Sequence, residues 1–328
     1  MAWFDLPETE LRGYRSSTSE PAGLDSFWRE RIAEAEAAAQ PVRLERHAPD
    51  AYGPTPVWDV EFSGARGDRV RGWYLRPPGV PDDEPLPVVV TYIGYGGGRG
   101  IPVEHVLLPS AGLATLVMDT RGQGGRWTTG ATGDGFVGPE LSTVMTRGIT
   151  NPAGYYYTRL YTDAVRAVRT AAELPGADPG RIAVTGGSQG GALSLAAAAL
   201  APDLVRACAA DVPFLCDIRR AVTLVDTNPY HEVAEFLSNH ADLVDVALQT
   251  LDHIDNALLA ARIQAPTWIS VGLMDDICPP STVFAAYNAV SAPKEMVVNP
   301  FGVHRYSRQF DEARLRFLRG RLLGDPAA

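Results

Sequence analysis

The sequence predicts an α/β fold in which a mostly parallel central sheet is flanked by helices. Short apolar runs rich in β-branched residues alternate with segments of helical periodicity from about residue 87 onward, which is typical of parallel sheets built from strand–helix units. Residues 181–200 place an apolar strand, a glycine-rich turn and an Ala/Leu-rich helix in immediate succession. The 328 residues are expected to form a single domain, because α/β folds with insertions reach this length as one unit.

Composition narrows the class of protein. Hydrophobic residues at 45% and charged residues at 21% are ordinary globular values, and no run is long and apolar enough to cross a bilayer. The net charge of −10 disfavours nucleic acids and anionic membranes as partners. Three cysteines without C-x-x-C spacing argue against a disulfide framework and a structural zinc site. The N-terminus lacks a secretory signal pattern, so a cytoplasmic location is expected.

The first 45 residues are expected to form an N-terminal helical extension. Within it, four apolar residues recur at helical spacing: Leu24, Trp28, Ile32 and Ala35. Two β-type runs follow, at residues 57–63 and 69–76, with Gly-Ala-Arg-Gly-Asp between them. They predict an antiparallel hairpin at the edge of the sheet.

The next two strands lead into glycine-rich turns. The β-branched run at 87–93 is typical of a strand buried on both faces, and Gly94-Tyr95-Gly96-Gly97-Gly98 follows it directly. The strand at 114–119 runs into Arg121-Gly122-Gln123. Residues 125–157 then show little periodicity, and a segment of this length is typical of a functional loop or contact surface. We expect an interface loop there, with Tyr155, Tyr156 and Tyr157 in the contact.

The C-terminal half continues the alternation. A helix is predicted from residue 161 to 174, a strand at 205–214, and a mainly helical segment at 217–263 that could cap the site. Two further strands, within 265–276 and 294–304, precede a final helix at 309–323.

The turn at 186–190 has the sequence Gly-Gly-Ser-Gln-Gly. This G-x-S-x-G pattern between a strand and a helix is a nucleophile elbow, in which the sharp turn leaves no room for side chains on either side of Ser188. The N-terminus of the following helix directs free N–H groups at negative charge that develops there. The pattern predicts Ser188 as a nucleophile.

Two more ionisable residues follow strand ends in the order that α/β-hydrolases use: Ser188, then Asp275, then His304. Among six histidines, only His304 follows a C-terminal strand. Asp276 and Asp119 also follow strands, so the sequence alone leaves three candidates for the acid. His304 would take the proton of Ser188, the acid would orient the imidazole, and the N–H groups of Tyr95 and Gln189 would hold the oxyanion.

The chain resembles carbohydrate esterase family 7, which contains acetyl xylan esterases and cephalosporin C deacetylases. The resemblance is carried by Arg121-Gly122-Gln123, by the elbow at 186–190 and by the segment 272–288. It implies an α/β-hydrolase fold, Asp275 rather than Asp276 as the acid, and Tyr95 and Gln189 as oxyanion donors. It also implies removal of acetyl groups from small oxygen esters, no cofactor or metal, and a hexamer.

The chain departs from the family pattern after the catalytic histidine, where Arg305 stands in place of a glutamate. Bulky Tyr95, Trp127 and Phe214 are expected to crowd the acyl side of the pocket. Thioester hydrolysis, peptide hydrolysis and perhydrolysis would use the same triad and stay open as alternatives. A catalytically inactive binding protein is disfavoured because nucleophile, base, acid and elbow glycines are all present.

Overall fold

A computed structural model describes residues 3–135, 143–304 and 308–324. The described residues form a nine-stranded sheet in the order β1-β2-β3-β5-β4-β6-β7-β8-β9. The first three strands and β5 pair antiparallel, and every pairing from β5 through β9 is parallel. This confirms the predicted mostly parallel sheet. The strands are β1 Arg43–Arg46, β2 Val57–Ser63, β3 Arg69–Leu75, β4 Leu86–Tyr92, β5 Ala114–Met118, β6 Ala177–Gly187, β7 Val205–Asp211, β8 Thr267–Gly272 and β9 Lys294–Asn299.

Helices cover both faces of the sheet. The α-helices are α1 Glu8–Leu11, α2 Leu24–Ala37, α3 Pro49–Tyr52, α4 Leu107–Ser110, α5 Tyr156–Glu173, α6 Gln189–Leu200, α7 Ile218–Leu224, α8 Tyr230–Asn239, α9 Val244–Asp252, α10 Asn256–Leu259, α11 Pro280–Ala289 and α12 Arg308–Leu323. Helices α5 and α6 pack into the main core on one face, and α12 packs on the other against small side chains such as Ala183 and Ala209. Within the described ranges, no helix is long and apolar enough to cross a membrane.

The antiparallel end of the sheet differs from the prediction in one strand. The hairpin β2–β3 forms as predicted, but β1 pairs with β2 and occupies the edge instead. Strand β1 is Arg-Leu-Glu-Arg and all four residues are exposed. It therefore lacks the apolar alternation by which strands are recognised in a sequence.

The predicted surface position of Tyr155, Tyr156 and Tyr157 is wrong. All three are fully buried, where they pack with the main core at the start of α5. Their hydroxyls find internal partners; Tyr155, for example, donates to the carbonyl of Met145 at 2.7 Å. These tyrosines therefore provide no contact surface. Part of the predicted interface loop, residues 136–142, lies outside the described residues.

The segment 217–263 is mainly helical, as predicted, and contains α7 to α10. Helix α8 lies beside the loop after β4, where Glu232 accepts a hydrogen bond from the hydroxyl of Tyr95. Among the described residues, none from this segment lines the cavity at the nucleophile elbow. That the segment caps the site stays a prediction.

Candidate active site

Ser188 occupies the sharp turn between β6 and α6. Its backbone has φ 56° and ψ −117°, a conformation that is uncommon for a residue with a side chain and costs free energy. Two hydrogen bonds hold it there: its N–H donates to the carbonyl of Asp211 at 2.9 Å, and its carbonyl accepts from Phe214 N–H at 3.0 Å. The strained turn is therefore fixed by the strand next to it.

The elbow glycines are required by close backbone contacts. A Cβ at Gly186 would lie 2.6 Å from the backbone of Gly190, and one at Gly190 would lie 2.3 Å from the carbonyl oxygen of Tyr92. A Cβ at Gly191 would lie 2.9 Å from the carbonyl oxygen of Asp211. Side chains are thus excluded at these three positions near Ser188 by close approach of the backbone.

Three residues predicted from strand ends come together in one hydrogen-bonded chain. His304 Nε2 lies 2.9 Å from Ser188 Oγ, and His304 Nδ1 lies 2.8 Å from Asp275 Oδ2. Asp275 is fully buried, and its Oδ1 accepts the backbone N–H groups of Ile277 and Cys278 at 2.9 and 2.8 Å. These bonds hold the carboxylate in the orientation that faces the imidazole.

The two rival acids have other partners. Asp119 accepts backbone N–H groups from Arg99 at 2.7 Å and from Ala131 at 2.6 Å, so it ties loops together. Asp276 is adjacent to Asp275, and its carbonyl accepts a hydrogen bond from the Thr227 hydroxyl. In the structure, Asp275 is the candidate that bonds His304.

Tyr95 and Gln189 supply two backbone N–H groups next to the elbow. Gln189 is the first residue of α6, so its N–H has no partner within the helix. Within the described part of the chain, neither N–H has a hydrogen-bond acceptor. The carbonyl of Tyr95 accepts from Trp127 Nε1 at 3.0 Å, and the next N–H, of Gly96, donates to Gln123 Oε1 at 2.7 Å.

A cavity of about 670 Å³ opens at Ser188 and His304. Trp127 lines it and is 59% exposed. Phe214 is fully buried and packs edge-to-face on Tyr95, with ring centroids 6.5 Å apart. Neither Phe214 nor Tyr95 is among the described residues that line this cavity. Substrate contact by Tyr95, Trp127 and Phe214 stays a prediction.

Two buried ionisable groups beside the triad were not singled out from the sequence. Burial raises the pKa of Asp211, which accepts a hydrogen bond from the Ser270 hydroxyl. Burial also raises the pKa of the Cys278 thiol well above its ordinary value. Both residues come close to His304 only through folding; Cys278 lies within the family-matching segment 272–288, but nothing in the sequence assigned either residue to the site.

One cluster has donor atoms at metal-ligand spacing. Atoms of Asp275, Cys278 and His304 lie within 4.8 Å of one another. Both ring nitrogens of His304 already have partners, and the high pKa keeps the thiol protonated. The arrangement suits proton transfer better than metal binding, and the expectation of no cofactor or metal stays a prediction. Arg305 lies outside the described residues.

The sequence and the fold both match known proteins. Residues 1–321 match the family model for acetyl xylan esterase (AXE1). The acetyl esterase Axe7A of Xylanibacter ruminicola is 28% identical over 310 residues, covering 88% of this chain. The chain spans 64% of the length of that relative.

Two solved structures are similar over nearly their whole length. An acetyl xylan esterase from Paenibacillus sp. R4 has a TM-score of 0.86 at 36% identity, covering 97% of this chain and 100% of that one. Acetyl xylan esterase 1 from Thermoanaerobacterium sp. JW/SL YS485 has a TM-score of 0.87 at 30% identity, covering 96% and 98%. The predicted α/β-hydrolase fold and the family resemblance are confirmed.

Proposed function

Because the chain belongs to the acetyl xylan esterase family, we propose that it is a serine esterase that removes acetyl groups from small O-acetylated substrates. The observation that carries the proposal is the hydrogen-bonded chain from Asp275 through His304 to Ser188, whose two distances are 2.8 and 2.9 Å. Such a chain activates a hydroxyl that is otherwise a weak nucleophile at neutral pH.

The proposed reaction has two halves. Ser188 Oγ attacks the acetyl carbonyl carbon while its proton passes to His304 Nε2. Collapse of the tetrahedral intermediate breaks the ester bond, and the departing alcohol takes the proton from His304. Water then attacks acetyl-Ser188 while one of its protons passes to His304. Collapse of this second intermediate breaks the bond from the acetyl carbon to Ser188 Oγ, which takes the proton back from His304 as acetate leaves. Asp275 holds the imidazole with Nδ1 protonated and stabilises the imidazolium.

The oxyanion of each intermediate would be held by the N–H groups of Tyr95 and Gln189. Their lack of acceptors in the described structure supports this role. A single such donor is worth about 3 kcal/mol in comparable sites. The N-terminus of α6 adds the positive end of its dipole at the same place.

The proposed substrates are acetylated xylo-oligosaccharides, cephalosporin C-like compounds and other short-chain esters. Each step uses side chains, backbone groups and water, so no cofactor is proposed. A homohexamer is proposed from the resemblance, and light scattering that gave a monomer mass would contradict it. A thioesterase, perhydrolase or peptidase would use the same triad, and rates with an acetyl thioester, with a peptide and with an acetyl ester plus hydrogen peroxide, each compared with the ester hydrolysis rate, separate these from an acetyl esterase.

A panel of p-nitrophenyl esters of increasing acyl length tests the proposal. We expect a steep preference for acetyl, with each excess methylene opposed by about 1–3 kcal/mol where the pocket closes behind the methyl group. Trp127 lines the cavity at Ser188, so Trp127→Ala should weaken the preference. Release of acetate from acetylated xylo-oligosaccharides is measured in parallel. Equal turnover of acetyl and octanoyl esters by the wild type would contradict the proposal.

A further inference from the structure

Glu232 contacts the loop that carries a proposed oxyanion donor. It lies on α8, and both of its carboxylate oxygens are within hydrogen-bond distance of the Tyr95 hydroxyl, at 2.9 and 2.8 Å. The Glu232 residue is only 6% exposed. A hydrogen bond to a buried carboxylate is stronger than one between neutral groups, because little water competes for it.

The charges around this contact favour a stable hydrogen bond. Burial and the charge of Glu232 raise the pKa of Tyr95, so the phenol stays protonated and donates. Burial also raises the pKa of Glu232, opposed by the Tyr95 hydroxyl, the Met145 backbone and the guanidinium of Arg126. The same guanidinium lies over the Tyr95 ring, 5.4 Å from its centroid. The neighbouring Glu235 acts in the raising direction.

Tyr95 is held at several points that leave its N–H free. The hydroxyl donates to Glu232 and accepts the Val144 N–H at 3.2 Å. The carbonyl accepts from Trp127 at 3.0 Å. Since these contacts fix both ends of the residue, they also fix where its N–H points, and among the described residues that N–H has no acceptor.

We propose that Glu232 is a positioning residue, which sets the oxyanion-binding N–H of Tyr95 by anchoring the tyrosine hydroxyl. The proposal rests on the proposed esterase function. Under this proposal, the helical segment 217–263 supports the oxyanion site through Glu232 on α8. None of its residues is among the described residues that line the cavity. A misplaced donor weakens binding of the transition state more than binding of the ester, so kcat should fall while KM holds.

Steady-state kinetics with p-nitrophenyl acetate test this on four variants and a control. We expect Glu232→Ala and Tyr95→Phe each to lower kcat about tenfold, with KM within about twofold of the wild type. Glu232→Gln should lose less, because its amide oxygen still accepts from the phenol. The double variant Tyr95→Phe/Glu232→Ala should be no worse than Tyr95→Phe alone, since the phenylalanine already removes the bond to Glu232 together with the 3.2 Å bond from Val144. Glu235→Gln, on an exposed position of the same helix, should match the wild type.

Several outcomes would overturn the proposal. The proposal would be contradicted if Glu232→Ala had the same kcat as Glu235→Gln, or if the losses of kcat multiplied in the double variant. It would also be contradicted if Glu232→Ala raised KM and left kcat unchanged. If Glu232→Ala fails to fold, as judged by its thermal melting, Tyr95→Phe tests the same bond by removal of one oxygen. A wild-type protein that lacked esterase activity would instead contradict the proposed function, and the two failures are therefore distinguishable.

Discussion

Asp275 and Asp276 differ in what the turn after β8 does with each carboxylate. Asp275 accepts two N–H groups from the residues just after it and is thereby aimed at His304. Both aspartates follow the same strand and Asp119 follows another, so the sequence left three candidates for the acid, and only the family resemblance favoured Asp275. Which of the two carboxylates faces His304 depends on where the N–H groups of Ile277 and Cys278 point, and this cannot be read from the sequence.

Replacement of each aspartate by asparagine tests this assignment. We expect Asp275→Asn to lower kcat by about 10⁴, because an amide holds the imidazole in the wrong tautomer. Asp276→Asn is the matched control, and it should stay close to the wild type. The measurement is kcat for p-nitrophenyl acetate, with circular dichroism to verify folding. Comparable losses in the two variants would contradict the role of Asp275.

The strand–turn–helix element around Ser188 could be predicted closely, because its constraints are local. Gly186 and Gly190 lie against backbone atoms of neighbouring residues, and only glycine fits. Strand β1 and the three tyrosines at 155–157 could not be predicted in the same way. Their positions depend on partners distant in sequence: β1 on β2, and the tyrosines on the core they enter.

Gly190→Ala tests the steric constraint on the elbow. The new Cβ would lie 2.3 Å from the Tyr92 carbonyl oxygen, at the end of β4 just before the Tyr95 loop. We expect β4 and the loop to shift, with a loss of stability of about 1–3 kcal/mol and a fall in kcat/KM of about 100-fold. Urea unfolding and ester kinetics measure the two effects.

Gly133→Ala is the matched control, because a Cβ there meets nothing within 4 Å and the backbone is not in the left-handed region. Its stability and activity should equal those of the wild type. A Gly190→Ala protein with the control's stability and kcat/KM would mean that the elbow tolerates a side chain.

For the whole molecule, the fold class was predictable because strands and helices alternate along the chain with the expected periods. The connection between Glu232 and Tyr95 was not, because 137 positions separate them and Glu232 resembles any acidic residue on an amphipathic helix. Only the folded arrangement of α8 beside the loop after β4 brings them together. Contacts of this kind have no sequence motif.

His105 is expected to contribute to the pH dependence of the stability of the whole molecule. Burial lowers its pKa from 6.5, against the opposing effects of the Arg99 carbonyl, 2.8 Å from Nε2, and of Glu104. The unfolded chain therefore takes up a proton at a higher pH than the folded one. Above about pH 6.5 His105 is neutral in both states and the folded protein keeps its full stability. The free energy of unfolding falls as pH decreases below this value, because the unfolded chain binds the proton more readily.

Urea unfolding between pH 7 and 5 measures this effect against His105→Gln, whose amide can still donate to Arg99 but does not titrate. We expect the free energy of unfolding to fall more steeply with decreasing pH in the wild type than in the variant. The carboxylates titrate in both proteins and cancel in the comparison. Parallel slopes would show that His105 ionises equally in the folded and unfolded chains.

The most direct test of the account is to identify the residue that forms a covalent bond with a serine-directed reagent. An aryl phosphonate ester reacts with a hydroxyl only where a base and an oxyanion site activate it. Peptide mass spectrometry should place one phosphonyl group per chain on Ser188, with activity lost in proportion to labelling and with Ser188→Ala unlabelled. Complete inactivation with the label on another residue would contradict the assignment of Ser188 as the nucleophile.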